Sequence, residues 1–201
     1  TWVKVCGITS AEALDAALEA GADAIGLVMH PGSPRALDVD AAASFADRAT
    51  VPTFIVSVDL DPDSAVALAR RVGSAGIQNH GAHATDVANR AIADGFLALR
   101  PVPVGTGVPV RPASLHPDVM PLYDTGHAVM HGGTGMTFDW SVLTGVEGPF
   151  VVAGGLGPDN VADLIAAVGP FGVDASSRLE VAPGIKDPDT IRAFVREARR
   201  P

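Results

Sequence analysis

The chain has 201 residues, 47% of them apolar and 5% aromatic, with a formal charge of −9 and one cysteine. That length suits one domain with an aliphatic core; the lone thiol excludes an internal disulfide and fits a reducing cytoplasm; and no run of about 18 apolar residues predicts a membrane span. The 14 Lys and Arg are scattered rather than gathered into a basic face, which argues against nucleic acid and leaves open a small anion held by backbone N–H groups.

Short apolar runs alternate with amphipathic, alanine-rich stretches. The runs are Trp2–Val5, Ala24–Val28, Thr53–Val58, Gly76–Gln78, Phe96–Leu99, Val119–Tyr123, Phe150–Ala153 and Gly172–Asp174, and they read as strands buried on both faces. Thr9 and Glu12 form a capping box for a first helix that stops at Gly21. Residues 62–72 and 85–94 read as helices. Residues 101–118 carry five prolines and predict a loop or short turn in place of the helix after strand five. Pro158 opens a helix with Val161, Leu164, Ile165 and Val168 on one face. Asp187 and Pro188 start the last helix. Eight such units in residues 1–201, with no linker or repeat, predict a single-domain (β/α)8 barrel. The rival is an open doubly wound sheet, whose dinucleotide-binding version needs G-x-G-x-x-G after strand one; Cys6-Gly7-Ile8-Thr9 does not match.

In a (β/α)8 barrel the active site lies at the C-terminal ends of the strands. Those ends hold Cys6, Ser33-Pro34-Arg35, Gln78-Asn79-His80-Gly81, Asp124, Gly154-Gly155 and Asp174-Ala175-Ser176-Ser177. A single cysteine beside a strand is most often a small core residue, and Asp124 alone could simply cap a loop. Together, from opposite strands, a thiolate and a carboxylic acid make an acid–base pair across a pocket. Gly154, Gly155, Ser176 and Ser177 fall where this fold often binds phosphate. GGTG at 132–135 lacks the Lys-Ser/Thr of a P-loop and reads as part of a lid over residues 126–135. His127 and His131, like His80 and His83, lack the ligand spacing of a metal site.

These strand-end blocks resemble the phosphoribosylanthranilate isomerase family of tryptophan biosynthesis. The blocks are KVCGIT at 4–9, GADAIGLV with SPR at 21–35, IQNHG at 77–81, YDTGHAVMHGGTGMTFDW at 123–140, AGGLGPDNV at 153–161, GVDASSRLE at 172–180 and PGIKD at 183–187. The resemblance implies a (β/α)8 barrel. The implied reaction is an Amadori rearrangement of N-(5′-phosphoribosyl)anthranilate to 1-(2-carboxyphenylamino)-1-deoxyribulose 5-phosphate. By the same resemblance Asp124 is the general acid, Cys6 the general base, and Arg35 the partner of the anthranilate carboxylate. His80 and Asp174 contact substrate, Gly154, Gly155, Ser176 and Ser177 hold the phosphate, and no metal or cofactor is implied. The partner is a phosphorylated small molecule, with no nucleic acid or membrane, and the chain is a monomer or homodimer.

The chain departs from the family pattern at Asn79, at Arg178 and in the irregular proline-rich stretch 101–118. Asn79 stands where the family's QLHG block has leucine, and a buried amide there needs hydrogen-bond partners. Arg178 stands where the family's SSG block has glycine. It strains the loop if that position needs a positive φ; otherwise it could add a charge-assisted contact to the phosphate. Two other readings remain: a metal-dependent sugar-phosphate epimerase on the same barrel, and a former isomerase kept as a phosphate-ligand binder.

Overall fold

In the computed structural model, which describes residues 1–104, 114–125 and 139–200, eight parallel strands close into a barrel. They are β1 (Trp2–Cys6), β2 (Ala24–Val28), β3 (Thr53–Val58), β4 (Gly76–His80), β5 (Leu97–Val104), β6 (Met120–Thr125), β7 (Val151–Val152) and β8 (Gly172–Ala175). Each pairs with the next, and β8 returns to β1 through Lys4↔Asp174. Around them run α1 (Ala11–Glu19), α2 (Val39–Arg48), α3 (Pro62–Val72), α4 (Ala84–Ala93), α5 (Val161–Val168) and α6 (Pro188–Ala198). The closed barrel replaces the doubly wound alternative.

The two-residue period of each strand divides the core in two. On β1, Val3 and Val5 face outward into the sheath between strands and helices. That sheath is thin because the helices present alanine: Ala13, Ala16 and Ala17 on α1, Ala65 and Ala69 on α3, and Ala84, Ala88 and Ala91 on α4. Inside the barrel, Ala24, Phe54, Leu99, Leu122 and Val151 fill the lower layers. Trp2 closes the floor, edge-on to Phe54 at 6.4 Å and stacked on Phe171 at 6.2 Å. With Trp2 packed across its floor, the described interior opens at the C-terminal strand ends.

Several local readings need correction. The α1 cap is Ser10, whose Oγ accepts from the Ala13 N–H at 3.2 Å. Thr9 instead donates its hydroxyl to the Gly184 carbonyl at 2.6 Å. α5 begins at Val161, and Pro158 lies in the turn before it. Asn160 shapes that turn, accepting from the Gly157 N–H and donating to the Gly155 carbonyl. β5 runs on to Val104, so Pro101 and Pro103 are strand residues. They lie beyond Leu99, where β5 pairs with β6 alone. Residues 114–119 form turns, and among the described residues no helix separates β5 from β6. α2, capped by Asp38, and a hairpin of β9 (Glu180–Ala182) and β10 (Ile185–Lys186) were not foreseen.

Candidate active site

The strand ends surround one mouth, lined by Cys6, His30, Arg35, Gln78, His80, Asp124, Gly154, Gly155, Asp174, Ser176 and Ser177 among others. About 740 Å³ of space, open solvent included, lies between these residues. All nine residues expected at the site from the sequence thus meet there.

Lys4 and Cys6 sit two apart on β1 and so point to the same side, into the barrel. Cys6 lies beside Gly26 of β2. A Cβ at Gly26 would stand 2.6 Å from the Cys6 Sγ, so glycine there makes room for the thiol. Beneath the thiol, Lys4 is fully buried and donates from Nζ to Asp174 Oδ2 at 3.0 Å. Burial alone would lower the Lys4 pKa, but Asp174 and the Cys6 sulfur more than offset it and hold the ammonium above its ordinary value. Burial pushes the Cys6 thiol up; Lys4 and Lys186 pull it down, and Asp174 pushes with burial. Burial likewise pushes Asp174 up against the pull of Lys4. Its Oδ1, like Gln78 Oε1, is a buried acceptor with no donor among the described residues.

Asp124, the penultimate residue of β6, lies across the barrel. Burial, with Asp174 nearby, pushes its pKa up from 3.8 to about 6. The loop after β7 presses close to it. At Gly154 the backbone has a φ of 91°, and a Cβ would stand 2.8 Å from Asp124 Oδ1 and 2.7 Å from the Thr125 nitrogen. Only glycine lets that loop lie against the carboxyl. Beyond it, the N–H groups of Gly155, Leu156, Ser176 and Ser177 donate to no acceptor among the described residues. All four residues line the mouth, and backbone N–H groups without acceptors are the kind of donor an anion takes.

Arg35 reaches the mouth already engaged. Its Nε and Nη2 donate to the two carboxylate oxygens of Glu180 at 2.6 and 2.8 Å, which leaves Nη1 outside that fork. Glu180 also accepts from Lys186, and Lys186 Nζ donates to the Ser176 carbonyl at 3.2 Å. Burial works against the Glu180 carboxylate, but hydrogen bonds from Arg35 and Lys186 hold its pKa below the ordinary value. This buried chain ties the loop after β2 to the turn after β8 through the β9–β10 hairpin. Gln78 Nε2 lies 3.0 Å from His80 Nε2, so the amide steadies the imidazole.

Asn79 is fully accommodated. Its Oδ1 accepts from Ser57 Oγ at 2.7 Å, and its Nδ2 donates to the Leu60 carbonyl at 3.1 Å. Its neighbours match the amide, and the departure leaves the mouth untouched. Arg178 has no positive φ, so it does not strain its loop. Among the described residues no group of three or more His, Cys, Asp or Glu stands together as metal ligands. The segment read as a lid, with His127 and His131, lies outside the described residues.

The sequence reading missed Lys4, Lys186, Glu180 and His30, and it placed Gln78 at a strand end without giving it a role. Lys4 shares the strand parity of Cys6, and His30 stands just past a strand end, so both were findable. Lys186 and Glu180 depend on the unforeseen hairpin.

The comparisons agree with this geometry. Residues 3–197 match the model of the N-(5′-phosphoribosyl)anthranilate (PRA) isomerase family. An N-(5′-phosphoribosyl)anthranilate isomerase from Myxococcus xanthus is 41% identical over 98% of this chain and 95% of its own. The solved monomers of dimeric phosphoribosylanthranilate isomerase from Thermotoga maritima superpose with a TM-score of 0.83 at 31% identity, over 99% of this chain and 98% of theirs. A phosphoribosylanthranilate isomerase in complex with reduced 1-(o-carboxyphenylamino)-1-deoxyribulose 5-phosphate gives 0.81 at 31% identity, over 99% and 98%. With its barrel, its strand-end residues and these full-length matches, the chain belongs to the N-(5′-phosphoribosyl)anthranilate isomerase family.

Proposed function

We propose that this barrel isomerises N-(5′-phosphoribosyl)anthranilate to 1-(2-carboxyphenylamino)-1-deoxyribulose 5-phosphate in tryptophan biosynthesis, with Asp124 as general acid and Cys6 as general base. The observation that carries the assignment is their placement. One acid and one thiol, from β6 and β1, line the same mouth as Gly155, Leu156, Ser176 and Ser177, whose N–H groups have no acceptor among the described residues.

Asp124 protonates the ribose ring oxygen. The C1′–O bond breaks, the anthranilate nitrogen supplies its electron pair, and a Schiff base forms. Cys6 as thiolate takes the C2′ proton, and the C2′–H electrons move to give the enolamine, which tautomerises to the ketone. Asp124 suits the first step because a carboxyl with a pKa of about 6 stays partly protonated near neutrality. Lys4, fully buried beneath Cys6, stabilises the thiolate. Asp174 Oδ1, with no other donor to meet, accepts from a sugar hydroxyl. His80 contacts the substrate under the hold of Gln78. Arg35, aimed by its fork to Glu180, faces the anthranilate carboxylate with Nη1. Gly154, Gly155, Ser176 and Ser177 hold the phosphate, and that remote binding keeps the sugar in register with the acid and base.

The protein acts on this phosphorylated small molecule in the cytoplasm, as a monomer or homodimer, and residues 1–201 form one catalytic domain. The test follows anthranilate-linked fluorescence with substrate generated in situ and a chelator present. The native chain turns over; Cys6→Ser and Asp124→Asn each lose about 10²- to 10⁴-fold in kcat. Turnover that survives either substitution within about tenfold refutes the role of that residue, and turnover abolished by the chelator alone favours a metal-dependent reaction.

A further inference from the structure

Arg178 stands on the helical turn Ser177–Leu179 after β8, yet its side chain reaches the loop after β7. Nη1 donates to the Gly155 carbonyl at 3.2 Å and Nη2 to Asp159 Oδ2 at 2.6 Å. The same carbonyl accepts from Asn160 Nδ2 at 3.0 Å. Two donors from two parts of the chain therefore pin one carbonyl of the glycine pair. Gly157 leaves the path open: a Cβ there would lie 3.3 Å from both Arg178 Cβ and Nε.

A trans peptide points its C=O and the following N–H in opposite directions. With the Gly155 carbonyl held toward Arg178 and Asn160, the Leu156 N–H is held the other way. Gly154 and Gly155 sit at φ of 91° and 66°, and an unbraced glycine peptide is free to swing. A cradle made of N–H groups needs that swing stopped.

We propose that Arg178 is a positioning residue for anion recognition, bracing the loop after β7 against the turn after β8 so that the cradle's N–H groups stay aimed at the substrate phosphate. It acts without touching the phosphate: one N–H of each Nη is turned to a protein oxygen, and Arg178 is not among the residues lining the mouth. The proposal rests on reading those two loops as the phosphate site, and it replaces the direct contact that the sequence allowed.

Inorganic phosphate is the probe, as a competitive inhibitor of turnover and by calorimetric titration. Arg178→Ala weakens phosphate about five- to tenfold and raises KM more than it lowers kcat. Arg178→Lys keeps the charge but loses the two-pronged fork, so it behaves like Arg178→Ala. Asp159→Asn separates brace from ligand: slackening a brace weakens phosphate, whereas an arginine that touched phosphate would bind it more tightly once freed. Asp159 is exposed, so this variant decides the matter even if Arg178→Ala fails to fold. Phosphate affinity within about twofold of native in Arg178→Ala, full affinity in Arg178→Lys, or tighter binding in Asp159→Asn overturns the brace. A native chain that turns over substrate but ignores phosphate overturns the cradle on which it rests, an outcome distinct from a native chain and an Arg178→Ala variant that phosphate inhibits equally.

Discussion

Asp124→Asn should stabilise the protein while disabling it. The carboxyl is held at about 6 against an ordinary 3.8, chiefly by burial, so at neutral pH the fold carries an ion it would rather have neutral. Each pKa unit is worth about 1.4 kcal/mol, which sets the penalty at no more than about 3 kcal/mol; water reaching the carboxyl through the mouth reduces it. Asparagine keeps the shape and can still accept from Thr125 Oγ1, which lies 3.3 Å from Asp124 Oδ1, but it cannot ionise. The sign follows from linkage. An acid with a raised folded pKa destabilises fully above that pKa, and the penalty fades as pH falls toward the unfolded value. Asp124→Asn therefore gains up to about 3 kcal/mol at pH 8, or about 6–12 °C in Tm, and the gain disappears near pH 4. Urea unfolding of both chains at pH 8, 6 and 4 measures it. A variant no more stable at pH 8, or a gain that does not change with pH, would refute the reasoning.

Lys4→Met leaves the Asp174 carboxylate buried without its counter-ion and should cost about 3–5 kcal/mol in urea unfolding at pH 8. Adding Asp174→Asn should recover most of that loss, and a single-variant cost under about 1 kcal/mol contradicts the pairing. Asn79→Leu, which restores the residue usual in the family, should destabilise this chain by about 1–3 kcal/mol. It strips the Ser57 hydroxyl and the Leu60 carbonyl of their partners. Combined with Ser57→Ala it should cost less than the two single losses together, and a simple sum would show that the hydrogen bond contributes nothing.

The barrel was legible because each strand is an apolar run that stops at a polar residue, and those stops are the mouth. Cys6, Asp124, Asp174 and the glycine pair could be placed by counting strands. What stayed hidden depends on contacts between distant parts of the chain. Thr9 and Ser10 are both good capping residues, and the choice between them lies with the Gly184 carbonyl, far along the chain, which takes the Thr9 hydroxyl. Pro158 suits a helix start, but Asn160 folds the preceding loop back on Gly155 and Gly157 and delays the helix. Pro101 and Pro103 suggested a loop because proline lacks a donor, yet β5 there has only β6 to satisfy. Lys4 drew no reading of its own within the run Trp2–Val5, although its parity with Cys6 puts it inside the barrel. Arg35 was identified, but its fork to Glu180 requires a hairpin that the sequence pattern does not announce.

The pH dependence of kcat/KM tests the acid–base assignment most directly, because it reports both groups in the free enzyme. The acid must be protonated and the base ionised. With Asp124 at about 6 and the Cys6 thiol above its ordinary value of 9.0, the active form is a minor one. Its population rises with pH up to about 6, stays level, and falls only above the thiol pKa. A rise that levels near pH 6, followed by a plateau into the alkaline range, is the expected profile. A rise that levels near pH 4, or a fall that begins near neutrality, would contradict Asp124 as the acid and Cys6 as the base.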